Sequence, residues 1–218
     1  MRPRPVPGRI DPSDRPTILA RLPVPLPDPK TLRRALHEYP AVVERQGVAR
    51  LAELDSWYRE ELPGSIAARE PAYVTHSELV RLTEWKMARG VWRAPNLVLV
   101  RGNDAELVMS TSRAALARIP HPTAPIAKLS ELRGVGPATA SGAVAAAAPE
   151  LYPFFDELVA AQLPGLGPVA WTLSYYALYA EKLRETAREL GGEWTPALLE
   201  RALWSHAGGK AGTSRVRS

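Results

Sequence analysis

Two groups of residues in this 218-residue chain have types and spacing suited to chemistry. The first is Arg133-Gly134-Val135-Gly136-Pro137-Ala138-Thr139, followed by an acid, Asp156. Gly134 and Gly136 permit the positive φ or close backbone approach that a tight corner needs, and Val135 between them is expected to point inward. Pro137 suits the first turn of a helix, where its missing N–H costs nothing. Such a corner leaves backbone N–H groups bare at the positive end of a helix dipole, which suits a phosphate oxygen. Asp156 could stabilise positive charge on a sugar or activate water against its anomeric carbon. It serves equally well as the N-cap of a helix beginning near Glu157. The second group is Lys86, Arg89, Trp92 and Arg93, the densest mix of positive charge and aromatics in the body of the chain. Cations for phosphates and a flat ring for a base are what a nucleic-acid groove requires. A solvated helix end with Trp92 packed inward accounts for the same residues.

The run Leu132 to Ala140 resembles the helix-hairpin-helix signature of the DNA glycosylases related to endonuclease III. The match is close over about thirty residues, from Leu129 to Asp156. What the resemblance implies is an all-α glycosylase-like fold, a hairpin that grips the DNA backbone, and a catalytic aspartate after the second helix. Asp156 stands eighteen residues beyond Ala138, the spacing that the family pattern leads one to expect. Ala138 occupies the position where bifunctional members carry a Schiff-base lysine. The resemblance therefore implies no lyase chemistry through that residue, leaving monofunctional base removal or binding alone. Without DNA, Gly-Val-Gly-Pro reads as an ordinary turn between two helices.

Composition sets further bounds. There is no cysteine, so disulfides, zinc-thiolate sites and a cysteine-ligated iron-sulfur cluster are excluded, although several members of the resembled superfamily carry such a cluster. The proposed chemistry needs no cofactor and no metal. The longest apolar runs are too short to span a bilayer and the Arg/Pro-rich start lacks a secretory signal, so a cytoplasmic protein with no membrane partner is expected. The net charge of +5 is carried by the ends: residues 1–30 and 208–218 contribute +3 each, leaving residues 31–207 at −1. DNA affinity must then come from local placement, with the ends adding salt-sensitive attraction.

The elements that would position these residues read as helices throughout. Residues 1–29 hold nine prolines and read as an extended or disordered arm, which could lie across the body through Ile18, Leu19, Leu22 and Leu26. A short helix from Lys30 is expected to end near Tyr39-Pro40. A second, from Val42 through Leu51, Trp57, Tyr58 and Leu62, stops at Pro63-Gly64. Trp57 and Tyr58 lie at core spacing, while Tyr58, Trp85 and Trp92 are the candidates to line a base pocket. Thr75 to Glu78 caps a helix closed by Gly90, Asn96 to Arg101 is a short apolar helix, and Asn103-Asp104 caps another reaching Ile119. Thr123 begins the helix before the Gly-Val-Gly corner, and the small-residue helix Pro137 to Ala148 is expected to be central and buried. An echo, Leu163-Pro164-Gly165-Leu166-Gly167-Pro168, reads either as a second hairpin that could grip another phosphate or as a plain entry turn to a helix from Pro168 to about Leu190, and a last helix starts at Thr195-Pro196. No alternating strand pattern appears, so the expectation is all-α, with one domain over residues 30–207 and a basic flexible tail over 208–218.

Three functions follow as expectations. The first is excision of a damaged base from DNA, with Asp156 catalytic and Arg133, Gly134, Val135, Gly136, Ala138, Thr139, Lys86, Arg89, Trp92 and Arg93 on the DNA. The second is a non-catalytic binder of duplex, distorted or abasic DNA. The third is an interaction scaffold whose proline-rich arm is the working part.

Overall fold

The computed structural model describes residues 25–210. Most of the proline-rich arm and of the basic tail lies outside them. Among the described residues every regular element is helical: α1 (Pro29–Arg45), α2 (Leu51–Ser56), α3 (Leu62–Ala67), α4 (His76–Arg89), α5 (Ala94–Arg101), α6 (Ala105–Leu116), α7 (Ala124–Leu129), α8 (Pro137–Ala147), α9 (Glu157–Ala160), α10 (Leu173–Leu190) and α11 (Pro196–His206). The fold is all-α, and no helix among these residues is long and apolar enough to cross a membrane.

Two prolines expected to end helices do not. Pro40 lies exposed inside α1, whose stripe of Leu32, Ala35, Tyr39, Val42 and Val43 is buried, and α1 packs along α11. Burial of that stripe outweighs the hydrogen bond that proline removes. Pro63-Gly64 is likewise continuous with the helix before it, because a π-helical turn, Trp57–Glu61, intervenes and the Leu62 amide reaches back to the Trp57 carbonyl. A widened turn is a common way to absorb a missing donor. The same turn presents Tyr58 to the core, where it stacks on Trp85 at 3.6 Å and donates to the Gly142 carbonyl at 2.9 Å. Tyr58 and Trp85 therefore belong to the core and neither lines the cavity at Asp156; Tyr58 also borders a separate groove with Arg59 and Glu200.

Helix α8 is central, as its small residues require. Its side chains from Ala138 to Ala146 are all buried, and a Cβ on Gly142 would stand 3.2 Å from Leu82 of α4. That close approach brings α4 against the helix that follows the glycine corner.

A buried polar chain links α1, α2, α4 and α11. Asp55 accepts hydrogen bonds from Tyr39 (2.7 Å) and Trp85 (2.8 Å) and pairs with Arg59 at 3.1 Å. Burial works against its ionisation, but Arg59, Arg89 and the two donors outweigh it and hold the carboxyl below the usual range. Four residues along α4 from Trp85, Arg89 is sandwiched by the rings of Trp204 (4.5 Å), Phe154 (5.3 Å) and Trp85 (5.5 Å), and its guanidinium pairs with Glu200. Both partners are 1 % exposed. Burial pushes the Glu200 carboxyl upward, against the opposing pull of Arg89 and Arg59. Glu200→Ala is expected to cost about 3 kcal/mol or more in urea unfolding, because it leaves a buried guanidinium short of its main counter-charge. A loss within about 0.5 kcal/mol, the range of an ordinary surface substitution, would contradict this assignment.

Candidate functional site

Helix α7 and helix α8 meet at the Gly-Val-Gly corner, and the corner is held from behind. Asn103, which sequence reading assigned only to a helix cap, accepts from the Arg133 amide at 3.0 Å and donates to the Arg133 carbonyl at 2.9 Å. It also donates to the Val100 carbonyl at 3.0 Å, so a single amide side chain pins the corner to α5. Gly134 has φ +75°, and a Cβ there would lie 2.7 Å from the Asn96 carbonyl oxygen and 2.8 Å from Leu99. Only glycine fits. Gly136 is different: its backbone is extended (φ −99°, ψ 178°), it is exposed, and a Cβ would meet nothing within 4 Å.

Val135 points inward, and its amide is bonded to the Leu132 carbonyl at 3.2 Å. Among the described residues the amides of Gly134, Gly136, Ala138 and Thr139 have no hydrogen-bond partner. Ala138 and Thr139 are buried, so what they offer a ligand is backbone. Arg133 is exposed beside the corner.

The segment after α8 is fastened at several points. The Ser141 hydroxyl donates to the Ala138 carbonyl and accepts from the Phe155 amide, both at 2.9 Å. Tyr176 and Tyr179 of α10 donate to the Pro153 (3.2 Å) and Phe154 (2.7 Å) carbonyls. This bracing delivers Asp156 to a cavity of about 200 Å³ whose walls include Gly136, Thr139, Lys86, Arg93 and Trp171. The acid and the open end of α8 thus share one cleft.

Asp156 is 8 % exposed and caps α9, accepting from the Leu158 amide at 2.8 Å. Its other carboxylate oxygen lies 3.4 Å from Arg89 Nε. Burial raises its pKa above the ordinary aspartate value, with Arg89 and the α9 amides pulling the other way. Capping and facing the cleft are therefore both properties of this residue.

The cations divide. Arg89, expected on the DNA surface, is buried at 2 % exposure and forms part of the cavity wall through its contacts with Asp156 and Glu200. It serves as an internal counter-ion because α4 turns that face into the protein. Lys86, three residues earlier on α4, is half-buried at the cavity, and burial together with Arg93 depresses its pKa, while Glu157 and Asp156 oppose the shift. Arg93 is exposed at the rim. Trp92 is 57 % exposed but lines a different groove with Val48, Leu97 and Val98, so it is not brought to Asp156.

Sequence reading missed two contributors. Trp171 was placed inside a helix starting at Pro168; α10 in fact begins at Leu173, capped by Thr172, and Trp171 lies in the preceding loop, 43 % exposed, packed on Phe155 at 4.8 Å. The Thr-X-Ser-Tyr cap was the available signal. Lys210, assigned to a flexible tail, lines the cavity and pairs with Glu157 at 2.9 Å. Nothing local in the sequence announces that contact. The echo around Gly165 and Gly167 has positive φ at both glycines but leads into a loop, with no helix directly behind it. Among the described residues no cluster of three or more His, Asp or Glu side chains is disposed to hold a metal ion.

Searches with the chain find no matching family model, no matching curated protein and no matching solved structure. The geometry separates the two glycines in a way that can be checked by thermal or urea unfolding. Gly134→Ala is expected to lose about 1–3 kcal/mol through strain and overlap, and Gly136→Ala less than about 1 kcal/mol, the small cost of exchanging one N-cap for a poorer one. Equal losses at the two positions would contradict the placement.

Proposed function

We propose that this chain binds duplex DNA at the α7–α8 corner and removes a damaged base by hydrolysis of its N-glycosyl bond in the adjoining cleft. The observation that carries the reading is the shared cleft: unpaired amides at the start of α8, cations at Lys86 and Arg93, and the Asp156 carboxylate line one cavity. The resemblance of Leu132 to Ala140 to the helix-hairpin-helix signature supports the same reading.

In this scheme a DNA phosphate accepts from the Gly136, Ala138 and Thr139 amides, with no acid between Glu131 and Glu150 to repel it. A base inside a duplex is out of reach, so the nucleotide swings into the cleft, where Trp171 offers a flat face supported by Phe155. As the base departs, positive charge grows on the sugar, and the buried Asp156 carboxylate stabilises it and orients water toward the anomeric carbon. Arg89 and the α9 amides fix the carboxylate in place, and Glu200 balances the arginine so that Asp156 is not over-neutralised.

The second reading, a binder without catalysis, is favoured by the hydrogen bond that Asp156 spends on capping α9. Asp156→Asn separates the two, since asparagine caps as well as aspartate and the fold should survive. With oligonucleotides carrying a panel of lesions, base release by Asp156→Asn is expected to fall by about 100-fold or more while gel-shift affinity stays within a few-fold. Release unaffected by the substitution removes Asp156 from the chemistry; binding without release by the unaltered protein selects the second reading.

The direction of the Asp156 shift adds a pH test. The reactive form is the carboxylate, and burial raises its folded pKa above the ordinary value. Activity is therefore expected to be lost on acidification through a limb that lies above the ordinary aspartate pKa of about 3.9. A rate that stays flat down to that value would contradict the assignment.

A further inference from the structure

Toward the C-terminal end of α8, about 10–15 Å along the helix from the glycine corner, lies a second groove of about 270 Å³. Its walls are mostly apolar, with Pro63, Ala145, Ala146, Phe154 and Leu198 among them, and two guanidinium groups, Arg59 and Arg201, stand in the same walls. Both lie against the Tyr39 ring, at 4.6 and 4.4 Å from its centre. Arg59 is answered by Asp55 and by the Tyr39 hydroxyl through its Nε and Nη2. Glu200, the one acid among the described residues of the wall, is 1 % exposed and is paired with Arg89 from inside. Among the described residues Arg201 makes no hydrogen bond and no ion pair, and its Nε is buried without a partner. Burial, and after it the neighbouring Arg59, work against the charged form of Arg201, and Tyr39, Asp55 and Glu200 only partly offset them. A cation held in a partly dry wall beside a like charge is stabilised by an anion. The start of α11 has little to offer such an anion, because the Leu198 amide donates to the Thr195 hydroxyl, the Leu199 amide to the Thr195 carbonyl and the Ala197 amide to the Pro149 carbonyl. The guanidinium groups are the donors that remain.

We propose that this groove is a binding site for a small organic carboxylate with an apolar body, held by its acid group at Arg201. The planar guanidinium of Arg201 matches a carboxylate with two parallel hydrogen bonds. Arg59, whose Nη1 makes no hydrogen bond among the described residues, adds positive charge beside it. The body of the ligand lies against Pro63, Ala146, Leu198 and the Phe154 ring, where release of water favours it. A mainly apolar groove with a few placed polar groups is the usual construction of a small-molecule site. Inorganic phosphate suits it less, because it has no apolar part and one of the two guanidinium groups is already committed to Asp55 and Tyr39. The site is separate from the cavity at Asp156, with which it shares only Phe154 among the described residues.

Phenylacetate titrated into the full chain tests this, followed by calorimetry and by ¹⁵N spectra that include the arginine Nε groups, with neutral phenylacetamide and inorganic phosphate titrated in parallel. The expected result is saturable binding of the acid, with shifts at Arg201 Nε and at the amides of Ala145, Ala146 and Leu198. Its affinity is expected to exceed that of the amide and of phosphate by about tenfold or more, the worth of a hydrogen bond to a charged group. Arg201→Gln is expected to weaken the acid by about tenfold or more and to leave the amide unchanged. A melting curve on the variant shows whether it folds, and the comparison of acid with amide, which needs no variant, decides the matter if it does not. No saturable binding of the acid at millimolar concentration overturns the proposal. So does an amide or a phosphate that binds as well as the acid, an affinity indifferent to Arg201→Gln in a folded variant, or shifts confined to the cavity at Asp156. Base release, measured separately, is untouched by any of these outcomes, so the glycosylase reading stands or falls on its own.

Discussion

A single buried guanidinium, Arg89, constrains the rest of this structure. It is a full charge at 2 % exposure, so it is tolerable only where opposite charges and ring faces surround it, and two other parts of the chain are recruited to do so beside its own helix. Glu200 comes from α11, Asp156 from the loop after α8, and the aromatic walls from Trp85, Trp204 and Phe154. Satisfying one charge thereby fixes α4, α11 and the Asp156 loop against each other. Because Asp156 is one of the satisfying groups, the same constraint sets the position of the carboxylate on which the proposed chemistry turns.

A second joint aligns that carboxylate with the corner. The Ser141 hydroxyl bridges the Ala138 carbonyl, in the first turn of α8, to the Phe155 amide next to Asp156. The first turn of α8 and the acid are thus tied through one side chain, while Asn103 ties the opposite side of the corner to α5. Among the described residues, backbone N–H groups at the start of α8, the Lys86 amine and two nitrogens of Arg89 make no hydrogen bond. Amides left bare at the start of a helix are the physical basis for reading the cleft as a place for an anion.

Much of this was legible in the chain before any coordinates. Helical periodicity located α4, α6 and α11 and most of α10 but divided α1 at Pro40, the glycine and proline punctuation located the α7–α8 corner, and the alanine-rich run identified the buried α8. The departures share a cause: each depends on partners remote in sequence. Arg89 reads as a surface residue from its type and becomes internal because Glu200 stands opposite, 111 residues away. Pro40 and Pro63 read as stops, yet packing on α11 and a π-helical turn carry the chain through them. Asn103 reads as a local cap and instead reaches thirty residues along the chain to Arg133. Lys86 was identified as a cation, but the cleft shared with Asp156 and the lack of an ion-pair partner come only from the fold.

The central claim is that the start of α8 and Asp156 form one ligand-binding face. Backbone amide resonances of the ¹⁵N-labelled protein, followed while a short duplex with a stable abasic-site analogue is added, test this directly. The account expects the largest shifts at Gly134, Gly136, Ala138, Thr139 and the residues flanking Asp156. Shifts confined to the groove of Trp92 and Val98, with the α8 amides unmoved, would contradict it.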